Sequence, residues 1–269
     1  MEHPLVAIEQ PIQRARERAE REQTAVNAKA KAIGQFRSRV EAITPTSSSA
    51  GTAQAMAGAT SLHTSASHGN HSRGCTAVRE AFAETVAPQS TADIDKSEPL
   101  ILTIREELGE AVALALSERT DTQFTPPIKR AVLTETQGLR TETRVLQRAI
   151  ETERESLDHA QTEVALILSQ IAEANNRSLL GCTFSELRSL HEELSELEDQ
   201  CEAIAANRQS TIQTTTSHNA AAGLTHQAVL GYLYGSSDTQ YPVLTTVCRV
   251  VSICRESKRA VRDHLCRRI

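Results

Sequence analysis

His63, His68, His71 and Cys75 are the residues whose types suggest a metal site, since imidazole and thiolate are common zinc ligands. Their intervals match no zinc finger, and the surrounding Ser, Thr, Ala and Gly offer no rigid scaffold. The tract 63–75 therefore reads as a histidine-containing low-complexity stretch. His191 precedes Glu192 and Glu193 but lacks the second His, four residues away, that a zinc-binding helix requires; it reads as an exposed helix residue. His159 and Glu163 have i,i+4 spacing and read as a surface contact. No glycine-rich phosphate loop, GxSxG or HExxH occurs. The many carboxylates fall on exposed helix faces, with no apolar pocket to shift their acidity. Cys201 falls on an apolar seam, where a thiol is buried and inert. The sequence thus predicts no catalytic, cofactor-binding or metal-binding residue.

Two further constellations bear on binding. Between 249 and 269, Arg249, Arg255, Lys258, Arg259, Arg262, Arg267 and Arg268 face only Glu256 and Asp263. Such a basic helix can follow phosphates or rest on an acidic partner or membrane surface. It can equally pair within the chain with the acidic arm Glu186, Glu192, Glu193, Glu196, Glu198 and Asp199, which is the reading preferred here. All three tyrosines, Tyr232, Tyr234 and Tyr241, sit in one corner and read as a small aromatic plug rather than a ligand contact.

The elements that would position these residues are helices. Leu187, Leu190, Leu194, Leu197, Cys201 and Ile204 step by threes and fours, which keeps one stripe of a helix facing a partner. The same rhythm runs through Val132, Leu139, Leu146, Ile150, Leu157, Ala160, Val164, Ile167, Ile171 and Ala174. Only a turn fits between Asn175 and Cys182, so residues 125–215 are expected to form a long antiparallel helical hairpin, a coiled coil. Thr125-Pro126 opens the first arm, and Thr183 with Glu186 has the capping-box spacing that opens the second.

The rest of the chain is read as accessory helices. Residues 1–44 form an N-terminal heptad helix with the seam Ile12, Ala15, Ala19, Val26, Ile33, Phe36, Val40 and Ile43, and Pro11 in its first turn. Residues 45–74 form a low-complexity linker that buries too little to offset its ordering entropy. Residues 75–269 form a helical body. In it, Val78 to Val86 make a short helix ended by Pro88. Ser97 caps a helix through Leu116 that Gly109 weakens. C-terminal helices span 224–267, with Gly235 as a left-handed cap between them.

Composition agrees. Aromatics are 3% of the 269 residues and Trp is absent, so burial must come from seams of Leu, Ile, Val and Ala. The net charge of -5 is mild and argues neither for nor against nucleic acid. Six cysteines without a CxxC pair look like thiols of a reducing interior. The start of the chain lacks a signal-peptide core, and no apolar run is long enough to span a bilayer. The protein is expected to be soluble and cytoplasmic.

Four segments carry a resemblance: Val78 to Val86, Phe124 to Leu133, Glu153 to Leu157, and Tyr232-Leu233-Tyr234-Gly235 through Tyr241-Pro242-Val243-Leu244. In this order they resemble a haloarchaeal family known only as a domain of unknown function. The resemblance implies a haloarchaeal cytoplasmic protein and supplies no activity and no site residue.

The expectation is an all-α, non-enzymatic scaffold or protein–protein interaction protein acting through coiled-coil faces. Residues 1–44 are expected to engage other helical proteins or a second copy, because the linker leaves their seam without an obvious internal partner. The alternative is a DNA-associated regulator using the basic C-terminal helix, although no helix-turn-helix is recognisable. A metal-dependent enzyme built on the histidine tract is the remaining option.

Overall fold

A computed structural model describes residues 6–46, 73–90, 99–119, 122–213 and 225–267. Nine helices and no strand occur among the described residues, so the protein is all-α. They are α1 (Val6–Ala42), α2 (Arg73–Glu84), α3 (Ala87–Ser90), α4 (Leu100–Leu108), α5 (Glu110–Leu116), α6 (Pro126–Asn175), α7 (Phe184–Gln213), α8 (His226–Tyr234) and α9 (Pro242–Cys266). Most of the 45–74 linker lies outside the described residues, as do His63, His68 and His71. The chain divides into two compact units, one of residues 1–23 and 147–269 and one of residues 24–146. The long helices α1 and α6 each contribute to both.

The first unit is built on the α6–α7 hairpin. Its arms run antiparallel, with Glu153 against Arg208 at the open end and Arg177 against Glu193 near the turn. Leu187, Leu190, Leu194, Leu197, Cys201 and Ile204 are all at most 6% exposed. Leu157, Val164, Ile167 and Ile171 join them in one core. Each buried Leu contributes about 1.5–3 kcal/mol. The capping box forms as expected. The Thr183 amide donates to Glu186 Oε2 at 2.6 Å and the Glu186 amide to Thr183 Oγ1 at 3.3 Å. Only the part of α6 from about residue 147 onward belongs to this unit; Val132, which the seam assigns to the same hairpin, packs in the other core. The reason is length, since α6 has 50 residues and α7 has 30.

α8 and α9 complete this unit together with the start of α1. Thr225 caps α8, accepting from the Ala228 amide at 3.1 Å. Gly235 ends α8 with φ -59° rather than in the left-handed conformation expected of it. Its amide still closes the helix on the Gly231 carbonyl at 2.9 Å. Pro242 opens α9, whose Val243, Val247, Val250, Cys254 and Val261 join the core. α1 begins at Val6, so Pro11 lies inside the helix and not in its first turn. Proline lacks the N–H that would reach the Ala7 carbonyl. That carbonyl instead accepts a long bond from Arg249 Nη1 at 3.5 Å.

The second unit gathers the remainder of α1, α2 to α5 and the first part of α6. Phe36 and Phe82 meet edge to face, with centroids 5.5 Å apart. Ile33, Val40, Val78, Ile104, Leu108, Val112, Leu116, Phe124 and Val132 surround them. α2 lies so close to Phe124 that a Cβ on Gly74 would come within 2.5 Å of the Phe124 Cβ. The helix predicted from Ser97 to Leu116 is broken, because Gly109 adopts φ 85° and ψ 163° and separates α4 from α5. Pro99 precedes the first turn of α4, and Ser97, expected to cap it, lies outside the described residues. Lys129 Nζ donates to the Glu41 and Ile43 carbonyls at 2.6 and 2.8 Å, satisfying the end of α1.

One expectation about α1 is corrected by these cores. Its seam is covered within the chain: Ile12, Ala15 and Ala19 in the first unit, and Ile33, Phe36 and Val40 in the second, all at most 4% exposed. A repeat of threes and fours specifies a buried stripe but not which helix buries it. No described helix is long and apolar enough to cross a membrane.

Candidate functional site

The residue types suited to acid–base chemistry converge at one place, inside the first unit. Glu153 on α6 is fully buried. Its Oε1 accepts from Arg208 Nη2 of α7 at 2.7 Å and from the Tyr234 hydroxyl of α8 at 3.0 Å. Its Oε2 accepts from the same Arg208 nitrogen at 2.9 Å and lies 2.9 Å from His226 Nε2. Arg208 Nη1 donates to Ser156 Oγ at 2.8 Å. Arg208 is 4% exposed, His226 5% and Tyr234 1%, so the whole cluster is buried.

The local sequence explains the convergence. Glu153 continues the α6 seam between Ile150 and Leu157, and Arg208 continues the α7 seam four residues beyond Ile204. A charge on an apolar stripe is tolerated when an opposite charge faces it with its remaining lone pairs satisfied. α8 delivers His226 from its first turn and Tyr234 from its last.

Electrostatics fix the protonation states. Burial alone would raise the Glu153 pKa, but the hydrogen bond with His226 and the charge and hydrogen bond of Arg208 outweigh it and hold the carboxyl below its ordinary value. Burial, together with the charge and hydrogen bond of Glu153, pushes the Tyr234 hydroxyl far up. The cluster is therefore a carboxylate facing a guanidinium and a neutral phenol. Every acceptor direction it uses points to a side chain of the same unit. Tyr234 also lines an open cleft of about 320 Å³ with Arg14, Asp238, Thr245 and Arg249. There Arg14 is engaged by Asp238 at 3.3 Å and Arg249 by the Ala7 carbonyl.

The residues singled out from sequence fall elsewhere. Cys75 is buried in α2, and its thiol donates to the Thr122 carbonyl at 3.3 Å. Burial raises its pKa against the opposing charge of Arg79. No group of three or more metal-ligating side chains occurs among the described residues. His159 and Glu163 make a surface pair at 3.5 Å, as the spacing suggested. The three tyrosines do not form one plug. Tyr234 is buried, Tyr232 is exposed and donates to Glu22, and Tyr241 is half-buried at the start of α9. The basic helix α9 does pair with the acidic arm: Arg255 Nε and Lys258 Nζ donate to Glu198 at 2.6 and 2.9 Å. These two cations hold the Glu198 carboxyl below its ordinary pKa.

Sequence reasoning missed the Glu153 cluster. Its signal was available as two opposite charges on the seams of the two arms, each replacing an apolar residue. His226 and Tyr234 carried no such signal, because α8 is too short for its period to stand out.

No curated protein and no solved structure matches the chain. A family model does match it, over residues 10–258 and hence over both units. The chain belongs to that family, which is described as a domain of unknown function (DUF7260).

Proposed function

We propose that this chain is a non-enzymatic helical scaffold that holds protein partners on its helical faces. The observation that carries this reading lies at the turn of the α6–α7 hairpin, where Leu180 is 81% exposed and Phe184 51% exposed. Large apolar side chains held in water on a rigid support suit a partner that covers them. The Glu153 cluster supports the same reading: its hydrogen-bonding capacity is consumed by Arg208, His226 and Tyr234, so it acts as a clamp on three helices. Residues 1–44, with their seam turned inward, offer helical partners or a second copy their charged outer face. The test is affinity capture from the native cell with the native chain and with a Leu180→Ser, Phe184→Ser variant of equal melting temperature. Partners retained by the native chain and lost by the variant are expected. Identical sets would refute the reading.

A DNA-associated regulator is the second reading. In its favour, Arg259, Arg262 and Arg267 are exposed and make no ion pair among the described residues. Against it, Arg255 and Lys258 are engaged by Glu198. Binding to duplex DNA that weakens with salt and is lost on changing Arg259, Arg262 and Arg267 to Ala would replace the first reading with this one.

A further inference from the structure

α7 and α9 run antiparallel, and Glu198 fixes their register by pairing with Arg255 and Lys258 at 2.6 and 2.9 Å. Three residues beyond Glu198 along α7 is Cys201. Four residues back from Lys258 along α9 is Cys254. The register therefore sets the two thiols opposite each other, and both lie in the same core at 1% and 0% exposure. The neighbouring Cys254 raises the Cys201 pKa, with burial adding to the rise. Cys201 in turn lowers the Cys254 pKa against the opposing effect of burial. Of the two thiols, Cys254 is the one that gives up its proton more readily.

We infer that Cys201 and Cys254 are a paired modification site, closed to a disulfide by a small neutral peroxide and reopened by thiols. A peroxide is the oxidant of choice because it needs little room in a core closed to larger disulfides. Cys254 Sγ attacks one peroxide oxygen and the O–O bond breaks. The leaving hydroxide takes a proton and departs as water, leaving Cys254 as a sulfenic acid. Cys201 Sγ then attacks the Cys254 sulfur, the S–O bond breaks, and a second water leaves with the Cys201 proton. The two thiols lose two electrons and two hydrogens in total, and the peroxide is reduced to two waters. The product joins α7 covalently to α9 around α8.

Two exposed cysteines on α9, Cys248 and Cys266, serve as internal references. The full native chain is treated with dilute hydrogen peroxide, quenched, digested without reductant and mapped by mass spectrometry. A linked peptide pair containing Cys201 and Cys254 is expected, together with a rise in melting temperature, both reversed by dithiothreitol. In a Cys248→Ser, Cys266→Ser variant the same link and the same rise should persist, and adding Cys201→Ala should remove both. Cross-links confined to Cys248, Cys266 or Cys182, or both core thiols still reduced once Cys248 is fully oxidised, would overturn the inference. So would Cys254 reaching sulfinic acid without a link. The map of the native chain decides the matter even if the Cys201→Ala variant fails to fold.

Discussion

Replacing Arg208 by Met keeps most of the aliphatic stem and removes the one permanent cation facing Glu153. The carboxylate would then keep only His226 and Tyr234 in a buried site. Breaking a buried ion pair from one side costs about 3–5 kcal/mol, because the remaining charge is uncompensated. For a unit of this size that corresponds to a fall in melting temperature of about 6–20 °C. Adding Glu153→Gln should recover part of the loss, since a neutral amide still accepts from Tyr234 without stranding a charge. Acid provides a second handle. In the native chain the folded pKa of Glu153 lies below 4.5. Its contribution is therefore complete above that value and disappears as pH falls through the folded pKa. Without Arg208 the buried carboxyl takes up its proton more readily, so the gap between native and variant should narrow as pH falls. Thermal melts followed by circular dichroism, at several pH values and on all three chains, give the comparison. A single-variant loss below about 1 kcal/mol, or a double variant no more stable than Arg208→Met, would refute the assignment of this pair as a clamp.

Leu194→Ala removes a side chain that is 1% exposed at the middle of the hairpin and should cost about 2–5 kcal/mol, read as a lower urea midpoint at unchanged slope. Gly109→Ala forces a side chain onto a backbone at φ 85° and ψ 163°, with an expected cost of about 1–3 kcal/mol in calorimetry. Thr183→Ala deletes one half of the capping box and should cost about 0.5–2 kcal/mol, seen first as faster amide exchange in the opening turn of α7.

Much of the architecture was readable because burial and periodicity are the same physical fact in a helix. The α7 seam from Leu187 to Ile204 is the clearest case: its spacing requires a partner, and the turn at 176–183 supplies α6. The spacing did not say how far the pairing extends. It made Val132 and Ile171 look like members of one interface, although they pack in different cores. Gly109 shows another limit. A glycine in an apolar stripe reads as a weak point, and only the three-dimensional packing of Ile104, Leu108, Val112 and Leu116 turns it into a break. The Glu153 cluster was hidden because Glu151, Glu153 and Glu155 are chemically identical in a sequence. What distinguishes the middle one is that it alone shares the stripe of Ile150 and Leu157. The pairing of α9 with the acidic arm was legible from charge alone, because complementary runs close together in the chain find each other cheaply.

The Glu153 cluster also has an order of assembly written into its separations along the chain. Arg208 lies 55 residues from Glu153, His226 73 and Tyr234 81. A ribosome therefore releases the hairpin, with its ion pair able to close, before α8 exists. At that stage solvent must stand where the imidazole and the phenol will later sit. The arrival of α8 expels that solvent. The short helix is the stopper of the site, and it carries Val229, Leu230 and Leu233 into the core as it seats.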